Sequence, residues 1–211
     1  EALIGVSITG WMNNPDVLFD KKVLEKGAKI VKEVNKEVAA LLGINAAART
    51  TCVKPSGNAS VLLQTASGIH AEHSTMYIRN VQMTKDSEVT QAIQKANPYM
   101  VEDSVWSATN SDVVVSFPII PKKGSYVKED LIGVDHLEKV KLVQQHWVNA
   151  GTNEELCADK GVRHNVSNTI LVDDWHEVEQ YVYKNRHSFA GISFLSMTGD
   201  KDFNQAPNTS V

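Results

Sequence analysis

Cysteine is scarce in this chain of 211 residues: Cys52 and Cys157 are the two. Two thiols do not make a disulfide framework, and neither lies in a CxxC pair or near histidine at zinc-finger spacing. They read as reduced, buried thiols. Long apolar runs are absent as well. No stretch reaches the ~18 residues that a membrane span requires, so no membrane partner is expected. The opening residues, Glu1-Ala2-Leu3-Ile4-Gly5, lack the basic start and apolar core of a secretory signal. A reducing, cytoplasmic compartment is expected. There is no excess of positive charge either: 21 Lys and Arg against 25 Asp and Glu leave a formal net charge of −4. Sequence-independent duplex binding needs a broad basic surface, so no direct nucleic-acid binding is expected. Solenoid repeats, low-complexity tracts and long linkers are missing, which favours one domain over residues 1–211. What remains is 42% hydrophobic and 22% charged, the balance of a folded globular chain. The chain opens on Glu1 rather than Met, so it reads as a truncated or excised segment.

The hydrophobic pattern alternates between strand and helix. Leu3 to Thr9 is an apolar run that suits a buried strand. Asn14-Pro15-Asp16 is a helix start with Pro15 at the first helical position. From Lys21 to Leu42, the residues Leu24, Ala28, Val31, Val34, Val38 and Leu41 recur every three or four positions and predict one apolar helical stripe, ended by Gly43. Thr50 to Lys54 is a short strand, Glu88 to Ala96 a helix, and Asp112 to Ile120 a clear strand that Pro118 should end. Leu137 to Ala150 reads as a helix with Val140, Val143, His146 and Trp147 on one side. Asn165 to Val172 is β-rich, Asp173-Asp174 caps a helix through Tyr183, and Ala190 to Leu195 is a last strand. The polar tail from Asp202 to Val211 shows no regular pattern. This order predicts an α/β fold with largely parallel strands.

The most informative stretch is Lys54-Pro55-Ser56-Gly57-Asn58-Ala59-Ser60. Pro55 stops a paired central strand, and Gly57 lets backbone come close to a ligand. If a helix starts here, its first free N–H groups point into one small space, and the helix dipole adds positive potential. That is how a helix N-terminus holds phosphate. The GxxxxGK[ST] pattern is absent, so this is not a P-loop. An ordinary capped turn uses the same residues. His70-Ala71-Glu72-His73 offers two imidazoles and a carboxylate, enough to raise a metal-dependent hydrolase as a reading. But it lacks the i, i+4 spacing of a helical HExxH pair, and structural histidines fit as well. Ser56 lacks the GxSxG setting of a serine hydrolase.

The run Thr50-Thr51-Cys52-Val53-Lys54-Pro55-Ser56-Gly57-Asn58-Ala59-Ser60-Val61-Leu62-Leu63 closely resembles a segment of adenosylcobalamin-dependent (class II) ribonucleotide reductases, usually written TTVKPSGTxSLL. Further pieces follow in order. Ser67-Gly68-Ile69-His70 is similar to PGxH, Tyr77-Ile78-Arg79 to YIRR, and His164-Asn165-Val166-Ser167 to HNxS. Gly191-Ile192-Ser193 sits where a last barrel strand would lie. Gly5 to Gly10 resembles the glycine-rich strand after the catalytic loop. The likeness is greatest to the monomeric ribonucleoside-triphosphate reductases. This chain has Asn58 where the run has Thr, Asn80 in place of a second Arg, and Cys52 as an extra residue.

The resemblance implies part of a ten-stranded α/β barrel, namely its second half. It implies a ribonucleoside-triphosphate substrate whose phosphates meet Ser56, Gly57, Asn58, Ala59 and Ser60. It further implies adenosylcobalamin as cofactor of the complete enzyme, held only weakly if at all by this piece. The expected partners are the missing N-terminal half of the barrel and a thioredoxin-like reductant. In the family a thiyl radical on a finger-loop cysteine starts ribose reduction, and a cysteine pair supplies electrons. Neither Cys52 nor Cys157 matches those positions, so the chain by itself is expected to be inactive. A stand-alone nucleotide- or phosphate-binding module without catalysis is the alternative.

Overall fold

In the computed structural model, residues 1–197 and 203–211 are described. The chain clusters into two units, one of residues 1–72 with 122–197 and the other of 73–121 with 198–211.

The first unit begins with a parallel βαβ arrangement. Strand β1 (Ala2–Ser7) and strand β2 (Ala47–Cys52) pair in parallel, with Ser7 opposite Cys52 at their carboxyl ends. Between them lie α1 (Pro15–Leu18), which has Pro at its start, and the long helix α2 (Lys21–Leu42). Helix α2 has well-defined ends. The Asp20 carboxylate accepts the Val23 N–H at 2.9 Å, and Gly43 takes the left-handed conformation (φ 65°) that closes a helix.

The predicted single stripe on α2 divides in two. Leu24, Ala28 and Ala39 are buried and Val31 is half-buried, whereas Val34 and Val38 are exposed and Leu41 is 87% exposed. At 100° per residue Val34, Val38 and Leu41 fall with Val23 and Ile30 on a face adjacent to the buried one. The apolar arc is wider than the surface that this chain lays against it. Strand β1 differs from expectation in the same way: its side chains are mostly exposed, and only β2 is buried throughout.

Helix α3 (Gly57–Leu62) follows β2. After the second unit come α5 (Gly133–Val143), which continues through a π-helical turn at Gln144–Asn149, and the parallel pair β6 (Ile170–Val172) and β7 (Phe194–Ser196), joined by α6 (Trp175–Lys184). The Asp174 carboxylate caps α6 by accepting from the His176 and Glu177 amides. One apolar core serves this unit, built on Trp11, Met12, Leu24, Val53, Leu137, Val140, Val143, Trp147 and Ile170.

The second unit overturns the expectation of parallel strands. Strands β3 (Tyr77–Thr84), β4 (Val101–Asp103), β5 (Asp112–Ile119) and β8 (Asn208–Ser210) form an antiparallel sheet in the order β4-β5-β3-β8. Helix α4 (Glu88–Ala96) joins β3 to β4, which are not neighbours, so the alternation does not mark a parallel crossover here. Two local expectations fail for related reasons. Strand β5 runs through Pro118, because β4 pairs only with Val113 to Val115 and leaves no partner for Pro118 to disappoint on that side. The tail is partly regular, because Asn208 to Ser210 find an open edge on β3. The fold is therefore α/β, with two small parallel pairs and one antiparallel sheet, and none of these described sheets closes on itself.

Packing behind β2 leaves no room for a side chain at Gly151. A Cβ there would lie 2.0 Å from the Thr51 hydroxyl oxygen and 2.7 Å from its methyl group, both in the buried strand. Gly151→Ala should cost about 1–3 kcal/mol, the range for overpacking, and lower the Tm by several degrees. Gly43→Ala meets no neighbour and carries only the left-handed backbone cost of about 1 kcal/mol. Thermal melts of the two variants should rank in that order.

Candidate phosphate-binding site

Strand β2 brings the Lys54–Ser60 turn to the carboxyl end of the parallel pair, the edge of an α/β sheet where ligands ordinarily bind. Its position is fixed from behind. The Thr51 hydroxyl donates to the Trp147 carbonyl at 2.7 Å, and the Trp147 indole N–H donates to the Cys52 carbonyl at 3.0 Å. Val53 exchanges backbone bonds with the 165–167 segment: its N–H donates to Asn165 O at 3.2 Å and its carbonyl accepts from Ser167 N at 2.9 Å. The Lys54 N–H then donates to the Ser7 hydroxyl at 2.9 Å, and the Lys54 ammonium to the Ser167 hydroxyl at 3.1 Å.

A second layer supports the turn. Gly68 adopts φ +56°, and a Cβ there would lie 2.9 Å from the Lys54 carbonyl oxygen. The segment carrying Gly68 is tied to residues 9–11, with Gly10 N donating to Ala66 O at 3.0 Å and Gly68 N to the Thr9 hydroxyl at 2.8 Å. Buried Asn13 organises this layer. Its amide NH2 donates to Glu72 at 2.7 Å and to Ser125 at 3.0 Å, and its oxygen accepts from Ala66 N at 2.8 Å and from the Thr65 hydroxyl. Nothing in the spacing of Asn13 pointed to this role; the Ser67-Gly68 pair was visible only as part of a motif.

The five candidate residues separate into two groups. Ser56 is the residue before α3, and its N–H donates to the Ser67 hydroxyl at 2.7 Å. Ser60 is fully buried; its N–H donates to Ser56 O at 3.3 Å, and its hydroxyl donates to the same carbonyl. Those groups hold the turn together. Gly57, Asn58 and Ala59 form the first turn of α3, where helical geometry gives the amides no carbonyl partner. Gly57 and Ala59 are exposed, and the Asn58 side chain lies outside the described residues. The donors facing solvent are thus these backbone amides.

Beside the turn lies a cavity of about 510 Å³ lined in part by Gly5, Cys52, Lys54, Arg163 and His164. Burial pushes the Cys52 thiol pKa up, an effect partly opposed by the Lys54 charge. Cys157 is half-buried, with Sγ 3.3 Å from the Asn153 carbonyl oxygen. The upward shift disfavours a Cys52 thiolate. Of the histidine cluster, His70 Nδ1 donates to Ser67 O at 3.0 Å and its ring meets His136 edge-on, while His73 lies against Tyr77 and Ser210. Among the described residues no three His, Cys, Asp or Glu side chains converge as metal ligands. Asn80 has a structural use: its NH2 donates to Ala206 O at 2.7 Å and its oxygen accepts from the Ser116 hydroxyl.

No family model matches the chain. Curated relatives do. The adenosylcobalamin-dependent ribonucleoside-triphosphate reductase of Euglena gracilis is 26% identical over 214 residues, covering 99% of this chain and 27% of that protein. The probable enzyme of the same name from Dictyostelium discoideum is 27% identical over 186 residues, covering 86% of this chain and 22% of that protein. This chain is homologous to a segment of the adenosylcobalamin-dependent ribonucleoside-triphosphate reductases. A solved B12-dependent (class II) ribonucleotide reductase shares its fold, with a TM-score of 0.73 and 20% identity over 90% of this chain and 25% of that one. The chain therefore spans about a quarter of the length of the reductases it matches. No helix of the described residues is long and apolar enough to cross a membrane.

The buried His136 yields a pH prediction for this layer. Its Nε2 donates to Ile69 O at 3.0 Å, next to the motif that carries Gly68 and His70, and burial lowers its pKa to about 4. The folded state therefore resists a proton that the unfolded chain accepts near pH 6.5. The associated stability is fully present above pH 6.5, is lost as pH falls from 6.5 towards 4, and changes no further below that, amounting to about 3 kcal/mol. Denaturant titrations should show this slope, and His136→Gln should flatten it across that window relative to the parent chain.

Proposed function

We propose that this chain is the substrate-phosphate-holding part of a ribonucleoside-triphosphate reductase, a piece of the second half of a ten-stranded catalytic α/β barrel. The observation that carries this reading is the first turn of α3. Its Gly57, Asn58 and Ala59 amides lack helical partners and stand at the carboxyl end of β1 and β2, on a turn braced by Ser67, Gly68 and Lys54. Fixing the phosphates fixes the ribose, which is the positioning contribution such an enzyme needs before any bond is broken.

The other half of the barrel is the proposed partner for apolar surface that the chain leaves open, Leu3, Ile4 and Val6 on β1 and Val34, Val38 and Leu41 on α2. Adenosylcobalamin supplies radical chemistry in the enzymes named for it. The cofactor and the thioredoxin-like reductant are assigned to the complete enzyme. The raised pKa of Cys52 favours binding without catalysis for the chain by itself, which is also what a stand-alone module would do. A cytoplasmic setting follows from this reading.

Addition of a ribonucleoside triphosphate to the 15N-labelled chain should shift the Gly57 and Ala59 amide resonances. Gly68→Ala, which forces the Lys54 carbonyl aside, should weaken binding tenfold or more. The purified chain with cofactor and dithiol should show no reductase turnover. Unmoved Gly57 and Ala59 amides at millimolar triphosphate would overturn the proposal.

A further inference from the structure

The cavity beside the turn has a charge arrangement that the α3 amides do not explain. Lys54 is held at both ends, its N–H by the Ser7 hydroxyl at 2.9 Å and its ammonium by the Ser167 hydroxyl at 3.1 Å. A hydroxyl takes one of the three ammonium donors and neutralises none of the charge. Among the described residues no carboxylate pairs with Lys54, although the chain as a whole carries a net charge of −4. Arg163, on the same wall, is already used: it pairs with Glu154 and donates to the Lys160 and Val162 carbonyls. His164 is held differently. Its Nδ1 donates to the Thr51 carbonyl at 3.1 Å, which fixes the ring, so Nε2 can donate to an anion only in the imidazolium form, with the second proton taken up together with the ligand. Gly5 keeps the floor open, since a Cβ there would come within 2.9 Å of the Cys52 sulfur. Burial keeps that sulfur protonated, so it sets no negative charge against an incoming anion.

We propose that Lys54 and His164 form a second oxyanion subsite in this cavity, taking a phosphoryl group of the same phosphorylated ligand whose other phosphate sits on the α3 amides. This rests on the reading of the ligand as a nucleotide phosphate, and an oligophosphate chain offers more than one phosphoryl group. An unpaired ammonium of fixed position beside an oriented imidazole that takes up a proton with the ligand is an arrangement that favours a compact, multiply charged oxygen anion. Ser167 acts on the ligand only through Lys54 and is a positioning residue.

The test is an NMR titration of the 211-residue chain with inorganic tripolyphosphate, following the His164 ring protons and the Gly57 and Ala59 amides together. Both sets should move in the parent chain. In Lys54→Gln, an exposed position whose replacement should leave the thermal melt in place, the His164 response should disappear and the apparent affinity should fall tenfold or more, with the Gly57 and Ala59 amides still responding. Ser167→Ala, which releases the ammonium, should weaken the His164 response several-fold. If the amides move and His164 does not, the second subsite is refuted while the proposed function stands. If His164 moves and the amides do not, the proposed function fails and with it the sharing of one ligand between the two sites. A His164 response that persists unchanged in Lys54→Gln also refutes the inference.

Discussion

Every feature of the candidate site depends on the burial of β2. The strand is inaccessible along all of its residues, and its polar side chains are satisfied by neighbouring backbone rather than by water. Thr50 donates to the Gly151 carbonyl, Thr51 to the Trp147 carbonyl, and buried Arg49 to the Val162 and Asp159 carbonyls while pairing with Glu1. A buried polar strand of this kind is stable only when each donor finds its partner, so its register is set with little freedom. That register decides where Lys54, Pro55 and Ser56 emerge. The close approach of Gly151 to Thr51, the π-turn that places Trp147, and the bridge between Val53 and Val166 all serve the same alignment.

Local pattern carried the helices well, because each is specified by residues within it or next to it. The start of α2 at Lys21 and its end at Gly43, the Asp174 cap of α6, and Pro15 at the head of α1 are all decided by short-range chemistry. What escaped was decided at a distance. Strand β3 was visible only as a piece of motif, since Tyr77 to Thr84 mixes polar and apolar residues, and its identity comes from partners at Asp112–Ile119 and Asn208–Ser210. Pro118 in β5 was misread because a proline's tolerance depends on whether a neighbour needs its missing N–H. The turn at Lys54 to Ser60 was legible as chemistry, yet the division of labour inside it was not. That Ser60 faces inward and Ser56 N–H is claimed by Ser67 follows from the segment around Gly68, whose docking on Thr9 and Gly10 depends on residues more than fifty positions away.

The apolar surface left open has a consistent character. On α2 it is a continuation of the buried stripe, as though the helix were meant to be covered on two sides and is covered here on one. Strand β1 has β2 as its only described neighbour and shows Leu3 and Ile4 to solvent, and an unpaired strand edge with apolar faces invites further pairing. The relatives, about four times as long as this chain, have the polypeptide to provide that cover.

Positioning and chemistry make different demands on side chains. A redox thiol works as its thiolate, and burial pushes the Cys52 thiol pKa the other way. A phosphate grip asks for the reverse: donors that do not move, unsatisfied until the ligand arrives, on a support that cannot relax around them. Amides at a helix start meet that need because the helix itself denies them partners. In the proposed site a rigid support would let those donors hold an anion at little cost in reorganisation. Gly68 is the joint between the supporting layer and the turn. It is the position at which the supporting layer touches the turn most closely, and its positive φ makes glycine the residue that fits there without strain. A layer that merely filled space would tolerate a methyl group at Gly68 by local repacking. A layer that sets the orientation of the Lys54–Pro55 backbone transmits that displacement directly to the amides of α3.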